Sequence, residues 1–424
     1  MAELQARGNR SRHGALAGTG RAINRDHEST EHDSILDRSY DLRVRRRWIL
    51  VVLIALFGSA AWLAAPYVRA AAFVLDLSGA APGVRRWLPV WIDEVTSRDL
   101  AVPTRHGAIP ARLYQPASPP SRSVIVFPGV HAGGVDEPRL ATFSRRLAAT
   151  GATVLSVPLP ELRRFRLTPV STDMIEDAAL WMAADRSLAP HGRIDMAAIS
   201  FSGGLALVAA GRPSLEGKVG RVISVGGHAD LPRVMRYLCT GQLSGGGTRP
   251  PHDYAVAVAF FAALPHLVPA GQLDTALAGL TAFLDASSYA HMDPQRSAAL
   301  FREAERIAAA APEPARGLLD LVNRRDVASL GPRLLPYVEE VSGAAALSPA
   351  RSPATRAPVF LIHGEADNVI PAGETPLLAD YLKAQGNREV RELLTPLLSH
   401  AEIKPPGALD AWRLIRFWKE LVAR

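Results

Sequence analysis

Apolar and polar positions divide the chain into three regimes. Residues 1–47 mix charge, Ser, Gly and His with no apolar period. A segment that cannot bury apolar surface stays unfolded, so this stretch is expected to be a disordered tail. Trp48 to Val68 then runs without a formal charge and without a polar face. About twenty residues at 1.5 Å each match a hydrocarbon core of about 30 Å, so 48–68 is predicted to be a transmembrane helix. Residues 69–97 form a neck, in which Trp87, Leu88, Val90, Trp91 and Ile92 suit either a membrane surface or packing on the following domain.

From Arg98 the period changes. Leu100–Pro103 and Ile109–Tyr114 flank a His-Gly turn and read as a hairpin. A strand at Val124–Phe127 follows, then a helix marked by Leu140, Phe143 and Leu147 and closed by Gly151. Thr153–Val157 is the next strand. Asp173 and Glu176 stand at capping-box spacing before a helix through Trp181 and Met182. A strand ending near Ile199, a small-residue helix up to Gly211 and a strand at Arg221–Val225 complete residues 98–229. Alternating strands and helices imply a mostly parallel sheet covered on both faces.

The alternation pauses over 230–355, where Tyr254–Leu264, Leu273–Leu284, Gln295–Ala310 and Ala315–Val322 read as helices. A structureless loop of that length is implausible in a compact domain, so a helical lid is expected after the sixth strand. The sheet pattern returns over 356–424: a strand at Val359–Ile362, a helix at Thr375–Gln385, a strand at Glu389–Leu394 and a last helix at Gly407–Val422. In that helix Trp412, Ile415, Trp418 and Val422 fall at helical spacing and are expected to face the core.

Composition narrows the function classes. The net charge of +7 comes almost wholly from scattered arginines, not from the clustered stripe and module that nucleic-acid binding requires. The one cysteine, Cys239, excludes an intramolecular disulfide framework and a cysteine zinc site. No phosphate loop, dinucleotide fingerprint or metal motif is present, so no cofactor and no metal are expected. Arg45, Arg46 and Arg47 abut the apolar run. By the positive-inside rule the N-terminus is cytoplasmic, the remainder extracytoplasmic, and the anchor lies in the inner membrane of a bacterium. Signal peptides have a shorter apolar core after a shorter start, so the anchor is expected to stay uncleaved despite the small residues Ala70–Ala72.

The chemistry concentrates in three stretches. IDMAAISFSGG (194–204) runs a strand into a serine and then into a helix start, the sequence form of a nucleophile elbow. HGEADNVIP (363–371) begins at a strand end and carries Asp367. LLSHAEI (397–403) follows the last strand and carries His400. Over residues 98–424 the chain resembles the α/β-hydrolase family, whose elbow is most often G-x-S-x-G. Here it reads Ala198-Ile199-Ser200-Phe201-Ser202, a departure that keeps small flanks; a shifted register would make Ser202 the nucleophile. The resemblance implies a Ser200–Asp367–His400 triad, with the backbone N–H groups of Phe201 and Val130 as the oxyanion hole and His131 as the other candidate donor. His131 and His228 are candidate substrate contacts, although His228 and Asp230 equally suit a polar turn opening the lid.

The expected function is a membrane-anchored serine hydrolase acting on a small or lipid-like carboxylic ester. A serine argues against a haloalkane dehalogenase, which uses a carboxylate nucleophile. The alternatives are an acyltransferase or peptidase with the same triad, or a catalytically silent scaffold at the membrane. Nothing in the sequence specifies a protein partner.

Overall fold

The computed structural model describes residues 27–78, 94–398 and 407–422. The chain divides into Met1–Ala64 and Ala65–Arg424. Helix His27–Ser78 begins inside the stretch expected to be a disordered tail and continues into the expected neck. Along Trp48–Ala64 every side chain is exposed, with Phe57 at 80% and Trp62 at 77%. Exposure falls off over residues 65–70, and Ala70, Phe73 and Val74 are buried. Those apolar side chains draw the helix onward through the first residues of the expected neck. The aromatic positions 87–92 of that neck lie outside the described residues.

The second unit is built on one sheet of eight strands: β1 (Val95–Val102), β2 (Ile109–Pro116), β3 (Arg122–Phe127), β4 (Ala152–Ser156), β5 (Ile194–Ile199), β6 (Val219–Val225), β7 (Val359–Gly364) and β8 (Val390–Thr395). Their order is β1-β2-β4-β3-β5-β6-β7-β8. The β1–β2 and β2–β4 pairs are antiparallel and all others are parallel. This is the α/β-hydrolase fold. The chain starts as a hairpin, crosses once between β3 and β4, and then winds outward from β5.

Alternation along β3 separates two cores. Ile125 and Phe127 point into one cluster, Val124 and Val126 into the other. The second cluster is covered by helix Pro138–Ala149, by helix Ala408–Val422 and by Ala70, Phe73 and Val74 of the N-terminal helix. Phe73 packs on Trp418 with ring centroids 4.9 Å apart and on Phe143 at 6.3 Å. Arg146 pairs with Asp76 at 3.0 Å. Trp412, expected in the core, is instead 48% exposed and stacked on Tyr67 at 5.4 Å. Leu414, Phe417, Trp418, Leu421 and Val422 form the buried side of that helix.

The other core joins the sheet to the insertion between β6 and β7. Its helices are Leu231–Thr240, Asp253–Leu267, Ala270–Tyr289, Pro294–Ala310, Ala315–Asn323, Val327–Leu334 and Val338–Ser342. Four of these match the expected helices. Leu231–Thr240 follows the turn at His228–Asp230, with Asp230 as its N-cap accepting from Arg233 N–H at 2.9 Å. Helix Asp253–Leu267 is apolar almost all round and correspondingly buried. The expected capping box at Asp173 and Glu176 is not one. Helix Pro169–Ala184 starts four residues before Asp173, and both carboxylates lie inside it, bound to Arg212. A side-chain cation on a neighbouring segment outcompetes a local cap.

Candidate active site

β5 ends at Ile199 and helix Phe201–Ala210 begins two residues later, so Ser200 must reverse the chain by itself. It does so at φ 61°, ψ −136°. Among the described residues only Phe165 and Arg325 share a positive φ without being glycine. Such a conformation costs on the order of 1–3 kcal/mol and persists only where its surroundings over-determine it. Here Ser200 N–H donates to the Val225 carbonyl at 2.7 Å, and the Ser200 carbonyl accepts from Gly203 N–H at 2.8 Å.

Ser202 holds the turn from below. Its hydroxyl accepts from Ile199 N–H at 3.0 Å and lies 2.8 Å from the carbonyls of both Phe127 and Ile199, fully buried. Ser200 therefore occupies the turn itself, and Ser202 the tie between β3 and β5. The small residues that the elbow needs are set by partners from the end of β6. A Cβ on Gly203 would lie 2.4 Å from Ser224 Oγ, and one on Gly204 within 2.4–2.7 Å of the His228 ring. These contacts were invisible in the sequence, because the partners lie more than twenty positions away.

The loop after β3 closes on the serine. A Cβ on Gly129 would come to 2.9 Å from Ser200 Cβ and 3.4 Å from Ser200 Oγ. Val130 follows, half-buried, with the Tyr254 hydroxyl 3.4 Å from its carbonyl. That hydroxyl also lies 3.3 Å from Ser288 Oγ, so it joins two helices of the insertion beside this loop. Burial pushes the Tyr254 phenol up, leaving it protonated and able to donate. His131 accepts from Gly133 N–H through Nδ1 at 3.0 Å, which puts the proton of the neutral ring on Nε2. Burial pushes the ring below the usual imidazole range, against the pull of the Glu137 charge.

Asp367 reaches the same rim from the loop after β7. It is 2% exposed, and its Oδ1 accepts from Val369 N–H at 2.8 Å and Ile370 N–H at 3.0 Å. Its Oδ2 lies 3.7 Å from where a Cβ on Gly226 would stand, next to the Val225 carbonyl that holds Ser200. His363 is fully buried between Thr375 Oγ1 at 2.8 Å and the Ile370 carbonyl at 2.9 Å, with Nε2 3.4 Å from Asp367 Oδ2. It braces the acid loop, as a strand-end histidine with backbone partners would. Residues 399–406, and with them His400, lie outside the described residues.

His228 is not where a substrate contact would be. It has no exposed surface, its Nε2 donates to the Leu347 carbonyl at 2.7 Å, and its ring backs Gly204 and Phe201. Burial pushes it below its ordinary value, which keeps the ring neutral. Beside it Glu374 gathers Ala229 N–H and Asp230 N–H at 2.9 and 3.0 Å and pairs with Arg233 at 2.5 Å. This buried cluster fixes the point where the lid leaves the sheet. Among the described residues no group of His, Cys, Asp and Glu is placed to hold a metal ion.

No protein-family model and no curated protein matches the chain. Solved structures do. An esterase from Pyrobaculum calidifontis is 19% identical with a TM-score of 0.41, over 77% of this chain and 82% of that one. A thermostable carboxylesterase cloned from a metagenomic library is 18% identical with a TM-score of 0.40, over 80% and 91%. An acylaminoacyl peptidase from Pyrococcus horikoshii is 13% identical with a TM-score of 0.41, over 80% of this chain and 42% of the peptidase. Identities this low do not carry a substrate across.

Proposed function

We propose that this chain is a membrane-anchored serine hydrolase that cleaves carboxylic esters through an acyl-enzyme. The observation that carries the proposal is the backbone of Ser200, held at φ 61° in the one-residue turn between strand and helix. A strained turn that lifts a hydroxyl over a sheet edge has a reason when that hydroxyl attacks a carbonyl.

In this reading Ser200 Oγ attacks the ester carbon while His400 takes its proton. The carbonyl oxygen becomes an oxyanion, met by the N–H groups of Phe201, at the start of the elbow helix, and of Val130, next to Gly129. His400 then returns the proton to the departing alcohol. Water, deprotonated by the same imidazole, releases the carboxylic acid. Asp367 holds the imidazole tautomer and stabilises the imidazolium. Its Oδ1 accepts from two backbone N–H groups, which fix the carboxyl group in place for this role. The insertion is apolar, and its Tyr254 hydroxyl lies 3.4 Å from the Val130 carbonyl of the oxyanion loop, which suits an ester with a lipophilic acyl part.

The anchor reading rests on the run of exposed apolar side chains from Trp48 to Ala64, a surface that water would not tolerate on a helix. With Arg45–Arg47 before it, the N-terminus is cytoplasmic and the hydrolase unit lies across the membrane.

A fluorophosphonate probe tests the chemistry. It should label the full chain in detergent, and Ser200→Ala should abolish labelling while leaving the near-ultraviolet dichroism intact. Labelling that survives Ser200→Ala would remove this serine from the mechanism. Absence of labelling in folded wild type would remove the enzyme.

A further inference from the structure

The last helix, Ala408–Val422, carries more than its buried side. Leu409 is 62% exposed and Trp412 48%, and Arg413 and Arg416 are exposed on the same stripe, at spacings of three, four and seven. Large exposed apolar side chains flanked by cations are uncommon on a helix that meets only water. They are usual on one that lies in a lipid headgroup layer.

The N-terminal helix supplies the ruler. In the sequence the apolar run begins at Trp48, and Tyr67 stands at its other end; a run of about twenty residues spans about 30 Å as a helix. That is close to the thickness of a hydrocarbon core, and Trp and Tyr concentrate at its two boundaries. Tyr67 therefore stands at the membrane–water interface. Trp412 stacks on it at 5.4 Å with planes only 9° apart, and Lys419 Nζ lies 2.8 Å from its hydroxyl. The side chains that touch Tyr67 stand at the same depth.

We infer that helix Ala408–Val422 is a second membrane contact, lying along an anionic lipid surface with Leu409 and Trp412 in the acyl boundary and Arg413, Arg416 and Lys419 among the headgroups. The charge agrees. The stripe itself carries Arg413 and Arg416, part-buried Lys419 stands beside it, and Asp410, 3.6 Å from Arg413, is the acidic group at its margin. Glu420 shares the stripe and is paired with exposed Arg391 at 2.8 Å, which leaves the face with a net excess of cations. The inference rests on the anchor reading above and is independent of the chemistry at Ser200.

The test uses the full chain in vesicles of phosphatidylcholine mixed with phosphatidylglycerol. Leu409→Cys carries a nitrobenzoxadiazole label, and Leu335→Cys, exposed on the lid, is the control. The native Cys239 is buried, and burial pushes its thiol up to about 12, so it stays unlabelled. Emission at position 409 should be blue-shifted and quenched by spin-labelled lipid, while emission at 335 should be quenched by aqueous iodide. Combining Arg413→Glu with Arg416→Glu should reverse most of the shift at 409. Equal iodide quenching at both positions in chains that float with the vesicles overturns the inference and leaves the anchor standing. A chain that fails to float refutes the anchor, and the inference with it. A blue shift that persists in detergent and grows with protein concentration assigns the face to a second copy of the chain.

Discussion

Gly129→Ala isolates the contribution of the proposed oxyanion loop. Gly129 lacks a positive φ, so alanine meets no backbone strain there, and the perturbation is the added methyl alone. That methyl would stand 2.9 Å from Ser200 Cβ and 3.2 Å from the Ile199 carbonyl. Ordinary contact begins at 3.4 Å, so the loop must retreat by about 0.5 Å (3.4 − 2.9). A misplacement of about 1 Å at a reacting centre costs about a hundredfold, and outright loss of one oxyanion donor costs about 2.7–4 kcal/mol. Half that displacement predicts a fall in kcat/KM between about tenfold and a hundredfold, with the larger share in kcat. The loop is half-buried and can give, so the global stability change should stay at the low end of the overpacking range, about 1 kcal/mol. The assay is hydrolysis of p-nitrophenyl esters of rising chain length, with the rate of fluorophosphonate labelling as a second readout. Gly271→Ala, whose added methyl meets nothing within 4 Å, is the control. Wild-type kcat/KM in a folded Gly129→Ala enzyme would show that the loop does not bear on the reacting carbonyl.

Three further outcomes are expected. Ser202→Ala removes the tie between Ile199 and Phe127 and should cost roughly 1–3 kcal/mol in urea denaturation while the probe still labels Ser200; loss of labelling in a folded variant would contradict the division of roles between the two serines. Burial pushes Asp173, Glu176 and Asp177 up, but the guanidinium groups of Arg212 and Arg105 outweigh it and hold all three below the ordinary carboxylate range. Their contribution is thus complete above the unfolded values of about 4 and is lost as pH falls through the lowered folded values; Arg212→Gln should lower the urea midpoint at neutral pH and flatten its acid decline, and an unchanged decline would exclude this network as the acid-sensitive element. Cys239 should resist thiol reagents at neutral pH until the chain is unfolded, since burial pushes its thiol up to about 12.

Much of the sheet was legible because its strands are short apolar runs between turn residues, and such runs in alternation with helices leave few topologies. The position of Ser200 was legible for the same reason: a strand ending in Ile199 and a helix of small residues leave one residue for the turn. The logic of its flanks was not. Sequence reading assigned smallness to Ala198 and Ser202, whereas the tightest approaches are at Gly203 and Gly204, against Ser224 and His228 from the end of β6. Trp412 fell on the apolar period of its helix yet found its partner 345 positions earlier (412 − 67), at Tyr67. Asp173 and Glu176 matched a local capping pattern and were claimed by Arg212. Each miss has one cause: a side chain with a good local use was taken by a better distant one, and periodicity carries no information about distance along the chain.

The seating of Phe73 between Phe143 and Trp418 makes the proposed anchor poor material for shedding. A protease cutting among the alanines just before it would sever a lipid tether and, in the same stroke, strip a wall from the domain. Release in soluble form would then bring collapse or aggregation in place of a free enzyme. Expression trials that begin after the apolar segment should accordingly retain Ala70 through Asp76, or supply a substitute for that wall.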